Sequence, residues 1–112
     1  MMVRFQIPGR PVAKQRARTV NGHTYTPPKT RAYEEAVAML ARSTRESFIG
    51  DVHVLIDLTS KTKLRGDIDN YAKSILDGIV KGGLIVDDRD IIHLCVSKIL
   101  SDDDYVQVTV HD

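Results

Sequence analysis

Apolar residues at every second position open the chain. Val3, Phe5 and Ile7 alternate with Met2, Arg4 and Gln6, a period that predicts a half-buried strand over residues 2–7. Pro8, Gly9 and Pro11 end it. Residues 8–29 keep no period and are expected to be irregular, with a short extended piece at His23-Thr24-Tyr25. Pro27-Pro28 then leads into a helix for which Thr30 is the expected N-cap. Tyr33, Ala36, Val37, Leu40, Ala41 and Thr44 recur at helical spacing to about residue 46, and Gly50 closes the unit. Val52, Val54, Ile56 and Leu58 alternate with His53, Leu55, Asp57 and Thr59, giving a second strand with one strongly apolar face.

The clearest helical signal follows. Ile68, Tyr71, Ala72, Ile75, Leu76, Ile79 and Val80 fall at i, i+3, i+4 spacing, and Gly82-Gly83 is a natural stop. Leu84-Ile85-Val86 is a short apolar run ending at Asp87-Asp88, where a strand is expected to finish. Ile92, Leu94 and Val96 share one face of a further strand over about residues 91–100. Asp102-Asp103-Asp104 reads as a polar turn. Val106, Val108 and Val110 mark a last strand, expected to form a hairpin with its predecessor. The order predicts an α/β (α+β) fold: one small domain over residues 1–112, with a mixed β-sheet of about four to five strands and two main helices.

Composition narrows the class. The apolar and charged fractions, 42% and 28%, are those of a soluble globular protein, and no apolar run approaches a membrane span. The N-terminus alternates and lacks a signal-peptide core. The single cysteine, Cys95, excludes a disulfide framework and a Cys-rich zinc site and fits a reducing compartment. A cytoplasmic setting is therefore expected.

The net charge of +1 does not mark a nucleic-acid binder, but its distribution is uneven. Met1 to Tyr33 carries seven Lys/Arg and no acid; Asp67 to Asp112 carries ten acids and four bases. A basic arm beside an acidic centre can bind a polyanion and a cation together. A solvated basic loop is the commoner meaning of such a run. Here Lys14-Gln15-Arg16-Ala17-Arg18 lies between Pro11 and Gly22 in an expected exposed loop, which favours phosphate contacts.

The chemistry concentrates at Gly66-Asp67-Ile68-Asp69-Asn70-Tyr71-Ala72-Lys73. Asp67 and Asp69 cannot share a face of a regular helix, but they can converge where an extended segment enters one. Carboxylates gathered at a helix entrance suit a hard divalent cation. Either aspartate could instead cap the helix, favoured by its dipole; that explains one carboxylate well and the second poorly. Lys73, four residues after Asp69, could supply charge for a phosphate reaction or form an ordinary i, i+4 ion pair with it. Asp87-Asp88 could be a plain turn, or the acidic end of a strand, where sites gather in open α/β folds.

Other motifs fall away. Asp67-x-Asp69 begins like a calcium loop, but Tyr71, Ala72 and Gly78 stand where it needs an oxygen ligand, a glycine and a glutamate. No glycine-rich phosphate loop is present. Cys95 is expected as a packed thiol, and none of His23, His53, His93 and His111 is assigned as a ligand. Six Phe/Tyr and no Trp give little support to a base-stacking platform.

The chain resembles the RusA family of Holliday-junction resolvases, small phage- and prophage-borne endodeoxyribonucleases, almost end to end. The resemblance is carried by Phe5-Gln6-Ile7-Pro8-Gly9-Arg10-Pro11, Lys14-Gln15-Arg16-Ala17-Arg18, Tyr25-Thr26-Pro27, Gly66-Asp67-Ile68-Asp69-Asn70-x-x-Lys73, Leu76-Asp77-Gly78 and Val86-Asp87-Asp88. It implies a homodimer that acts on branched DNA with Mg²⁺, for which Mn²⁺ can substitute, in recombination and repair within a bacterial host. Its essential carboxylates correspond to Asp67, Asp69 and Asp88, the proposed metal ligands, and its essential lysine to Lys73. Asp87 matches the other member of the acidic pair. The basic N-terminal loop, with Arg10, Lys14, Arg16 and Arg18, carries over as a DNA contact. Two rivals stay open: a non-catalytic branched-DNA-binding dimer whose aspartates are caps, and a nuclease for other branched DNA.

Overall fold

Each apolar alternation becomes a strand. In the computed structural model, which describes residues 1–112, the order is β1 (Met2–Pro8), β2 (Arg18–Val20), β3 (His23–Tyr25), α1 (Pro28–Ser43), β4 (Val52–Ser60), α2 (Ile68–Lys81), a 3-10 turn (Asp88–Asp90), β5 (Ile91–Leu100) and β6 (Tyr105–His111). Four strands form a mixed sheet in the order β1-β6-β4-β5. β6 runs antiparallel to β1 and β4, while β4 and β5 are parallel and joined through α2. The fold is α+β, with two main helices and a second, two-stranded sheet of β2 and β3.

One face of the larger sheet is packed. Val3 and Ile7 of β1, Val106, Val108 and Val110 of β6, and Val52, Val54, Ile56 and Leu58 of β4 form a single cluster with Tyr33, Val37 and Ala41 of α1 and Ala72, Ile75 and Ile79 of α2. Removing this apolar area from water is the main stabilising term. The helices approach closely because position 78 has no side chain. A Cβ on Gly78 would lie 2.5 Å from Cβ of Val37 and 3.1 Å from the Glu34 carbonyl oxygen. The opposite face is open. Across it His111, His53 and His93 stand in a row, with the rings of His53 and His111 stacked at 4.7 Å.

Five expectations change. First, β6 forms no hairpin with β5; it pairs with β1 and β4, and β4 lies between them. β4, whose alternate residues Val52, Val54, Ile56 and Leu58 are fully buried, takes an interior place with both its backbone edges bonded. The link after β5 crosses the end of β4, where Ser101 N–H donates to Ser60 O and Lys61 N–H to Asp104 Oδ1. Second, residues 84–86 are not a strand. Gly83, at φ +79°, forms a Schellman stop in which its N–H donates to Val80 O and that of Leu84 to Ile79 O. Leu84 O accepts from Phe48 N–H, so Leu84 and Ile85 plug the core beneath the helix end while Val86 stays exposed.

Third, Thr30 is not the N-cap of α1. Pro27 holds that position and Pro28 begins the helix with its φ already set. Thr30 is buried inside the first turn, and its Oγ1 accepts from Gln15 N–H at 3.1 Å. Fourth, residues 8–29 are not wholly irregular. Asn21 and Gly22 both adopt positive φ, the geometry of a tight hairpin turn, and join β2 to β3. Fifth, Cys95 is exposed rather than packed, because it lies on the outermost strand and its β4 partner, Leu55, is itself exposed.

Candidate active site

The loop before α2 delivers Asp67 to the helix entrance. Two cations tie that loop through its carbonyls. Arg10 donates to Thr62 Oγ1 at 2.7 Å and to Lys63 O at 3.2 Å. Lys98 of β5 donates to Gly66 O at 2.6 Å and to Leu64 O at 3.1 Å. Gly66 fits because a Cβ there would come within 3.0 Å of the Tyr71 ring. Arg10, expected as a DNA contact, thus has a fold-internal role, and Lys98 is a contributor that sequence reading missed. Its one signal was being the only Lys or Arg in a mostly apolar strand.

Asp67 occupies the N-cap position of α2 in extended backbone, yet its carboxylate makes no capping bond. Its carbonyl oxygen accepts the helix's first N–H donors, from Asn70 and Tyr71. Asp69 sits in the first turn, where the helix dipole favours negative charge, and Oδ1 accepts from Asn70 N–H at 3.1 Å. Both side chains are exposed. The capping reading therefore fails for the Asp67 side chain.

Lys73 does not pair back to Asp69. Its ammonium lies 3.1 Å from Asp77 Oδ1, one turn on, and 3.1 Å from Asp88 Oδ2. The hydrogen bonds it donates, first to Asp77 and then to Asp88, hold its pKa above the ordinary lysine value. Asp88 begins the 3-10 turn, which Asp87 caps by accepting from Arg89 N–H at 3.1 Å. That backbone N–H is the main reason the Asp87 carboxyl lies below the usual carboxylate range. Asp87 thus shapes the turn that presents Asp88. A cleft of about 350 Å³, lined by Ile68, Asp69, Ala72, Lys73, Leu76, Leu94 and Val96, opens on one side of Lys73.

Lys14 is half-buried, with its ammonium 2.8 Å from both Glu34 Oε1 and Asp77 Oδ2. Burial alone would lower its pKa; bonds to Asp77 and Glu34 outweigh that and hold it raised. Two of its three N–H donors are spent inside the fold. Arg16 and Arg18 are exposed and outside these ion pairs.

The structure therefore joins Lys73, Asp88, Asp77, Lys14 and Glu34 into one row of alternating charge, with Asp67 and Asp69 at the start of the same helix. The donor chemistry fits a hard divalent cation: oxygen ligands, with the Asp67 carboxylate free of any cap. In this conformation, however, no three acidic, His or Cys side chains converge on one point. A family model described as endodeoxyribonuclease RusA matches residues 8–111. The chain belongs to the RusA family.

RusA-family membership makes the protein an endodeoxyribonuclease of the Holliday-junction-resolving kind. The matched span takes in every residue of the charged row together with Asp67 and Asp69. No curated protein shows significant similarity to the chain. No helix is long and apolar enough to cross a membrane.

Proposed function

We propose that the protein is a Mg²⁺-dependent, structure-selective endonuclease that resolves four-way DNA junctions as a homodimer, in recombination and repair of bacterial or phage DNA. The observation that carries the reading is Lys73, held between Asp77 and Asp88 on the helix whose entrance bears Asp67 and Asp69. Asp67, Asp69 and Asp88 are the residues that would hold the cation, with Mn²⁺ an acceptable substitute. When bound, it supplies Lewis-acid polarisation of a phosphate oxygen and a water of lowered pKa. Water attack on phosphorus breaks the bond to the 3′ oxygen, leaving 5′-phosphate and 3′-hydroxyl ends. Lys73, protonated at neutral pH, neutralises charge on the phosphate and stands ready beside the leaving oxygen. Exposed Arg16 and Arg18 supply affinity for the backbone that is independent of sequence.

β5 supports the dimer. It is one of the two edge strands of the sheet, with one backbone edge unpaired. Ile92 is 59% and Leu100 66% exposed, and Leu94 and Ile99 are also open. Its one charged side chain, Lys98, is turned inward to Leu64 and Gly66. Proteins protect such edges with charges, prolines or a partner. Antiparallel pairing with β5 of a second copy would extend the sheet about a twofold axis and cover these side chains. Leu94 and Val96 also line the cleft beside Asp69 and Lys73, so this contact would border both sites. Two related sites match the two strands a junction resolvase must cut.

The test is cleavage of a labelled four-way junction beside a linear duplex of the same sequence, with Mg²⁺ or EDTA, by wild type and Asp69→Asn. Paired symmetric nicks on the junction alone, lost with EDTA and with the variant, are expected. Tight junction binding without cutting by metal-replete wild type would favour a non-catalytic junction binder instead. Cutting of flaps or forks in preference to junctions would shift the substrate class.

A further inference from the structure

We propose that Asp77, braced by Lys14 and Glu34, is the positioning residue that holds the Lys73 ammonium at the reaction centre. This rests on the nuclease reading above. Lys73 is 48% exposed, and a lysine so placed ordinarily samples many rotamers. Two carboxylates restrain it, but they are not equivalent. Asp88 belongs to the set that would hold the cation, so its charge is shared. Asp77 has no second assignment at the reaction centre and lies on the same helix, one turn on.

The geometry of Asp77 separates it from a routine i, i+4 partner. Its two oxygens are divided between two lysines: Oδ1 receives Lys73 at 3.1 Å and Oδ2 receives Lys14 at 2.8 Å. Using both oxygens fixes the carboxylate plane, which a single surface pair does not. Lys14 is fixed in turn by Glu34, whose side chain is only 6% exposed. The row thus runs from solvent at Lys73 to the core at Glu34. Its inner end has little freedom, because Glu34 sits on α1 beside the Gly78 crossing with α2.

Lys14 is itself pinned through its backbone. Its N–H donates to Asn70 O at 2.8 Å, and Ser74 Oγ donates to neighbouring Val12 O at 2.7 Å. Charges alternate along the row, so each lysine separates two carboxylates that would otherwise repel. Removing Lys14 would leave Asp77 and Glu34 facing each other unneutralised and Asp77 free to turn away from Lys73. The basic loop is therefore divided in purpose. Lys14 serves the catalytic lysine from behind, while Arg16 and Arg18 face outward.

The experiment compares wild type, Asp77→Asn, Lys14→Met and Lys14→Arg in single-turnover cleavage of a four-way junction with Mg²⁺. Junction affinity with Ca²⁺ in place of Mg²⁺ and the melting temperature are measured in parallel. Asp77→Asn and Lys14→Met are expected to slow cleavage about ten- to a hundredfold, the cost of a misplaced catalytic group, with affinity little changed. Lys14→Arg should keep most of the rate. Asp77→Asn cutting at the wild-type rate would overturn the proposal. So would loss of affinity in step with rate, which would make the row a DNA contact or a fold element. If Asp77→Asn fails to fold, the contrast between Lys14→Met and Lys14→Arg decides on the same criteria. Wild type that binds junctions but never cuts them would instead sink the nuclease reading itself.

Discussion

The ammonium of Lys73 lies 3.1 Å from a carboxylate oxygen of Asp88, fifteen residues further along the chain. The glycine stop after α2 and the turn capped by Asp87 make this contact possible. They fold the chain back so that an acid beyond the helix meets a base within it. An acid and a base of the proposed site thus meet within the fold itself.

Alkaline titration follows from Lys14. Its folded pKa is raised, so the stability it contributes is complete below the unfolded lysine value of 10.5 and is lost as pH rises through the folded value. The stability difference between wild type and Lys14→Met should be constant from neutral pH to about pH 10 and shrink above it. Urea denaturation across that range checks this. A difference that grows with rising pH would contradict the ion-pair assignment.

Gly78 sets the approach of the two helices. Gly78→Ala adds a methyl 2.5 Å from Cβ of Val37, with the Glu34 backbone at 3.1 Å. The better helix propensity of alanine is worth about 1 kcal/mol, and overpacking costs about 1–3 kcal/mol. Net destabilisation of up to about 2 kcal/mol in urea denaturation is expected, and increased stability would show that the helices separate freely.

The open edge of β5 bears on assembly. Leu94→Glu places a charge on an open apolar edge and is expected to shift the proposed dimer to monomer in light scattering, with junction cutting falling alongside. A variant that remains dimeric at low micromolar concentration would place the twofold contact elsewhere.

The outward arginines bear on salt. Replacing Arg16 and Arg18 together by alanine should weaken junction and duplex binding alike. The slope of log affinity against log salt should fall by about two if both contact phosphate. An unchanged slope in a filter-binding or anisotropy titration would remove them from the interface.

Much of this architecture is written locally. The alternation in β1, β4 and β6 and the helical spacing of Ile68 to Val80 mark the elements, because each buries one face and repeats with its own period. The pairing of β6 with β4 rather than β5 is not written locally; both β5 and β6 alternate, and which neighbour each takes depends on contacts remote in sequence. The fate of Leu84-Ile85-Val86 likewise depends on where its backbone bonds go, which three apolar letters do not encode. At the site, the Asp67, Asp69 and Lys73 motif is visible as a motif. Asp77 stands at i+4 from Lys73, a spacing the sequence does show; Glu34 and Lys98 are not visible, because they arrive from a helix crossing and from a strand remote in sequence.

The central claim is that Lys73 serves chemistry rather than grip. The direct measurement is single-turnover cleavage of a four-way junction by Lys73→Ala with Mg²⁺, beside its junction affinity. The account predicts cutting reduced by about a thousandfold or more while affinity stays within a few-fold of wild type. Near-wild-type cutting by Lys73→Ala would contradict it.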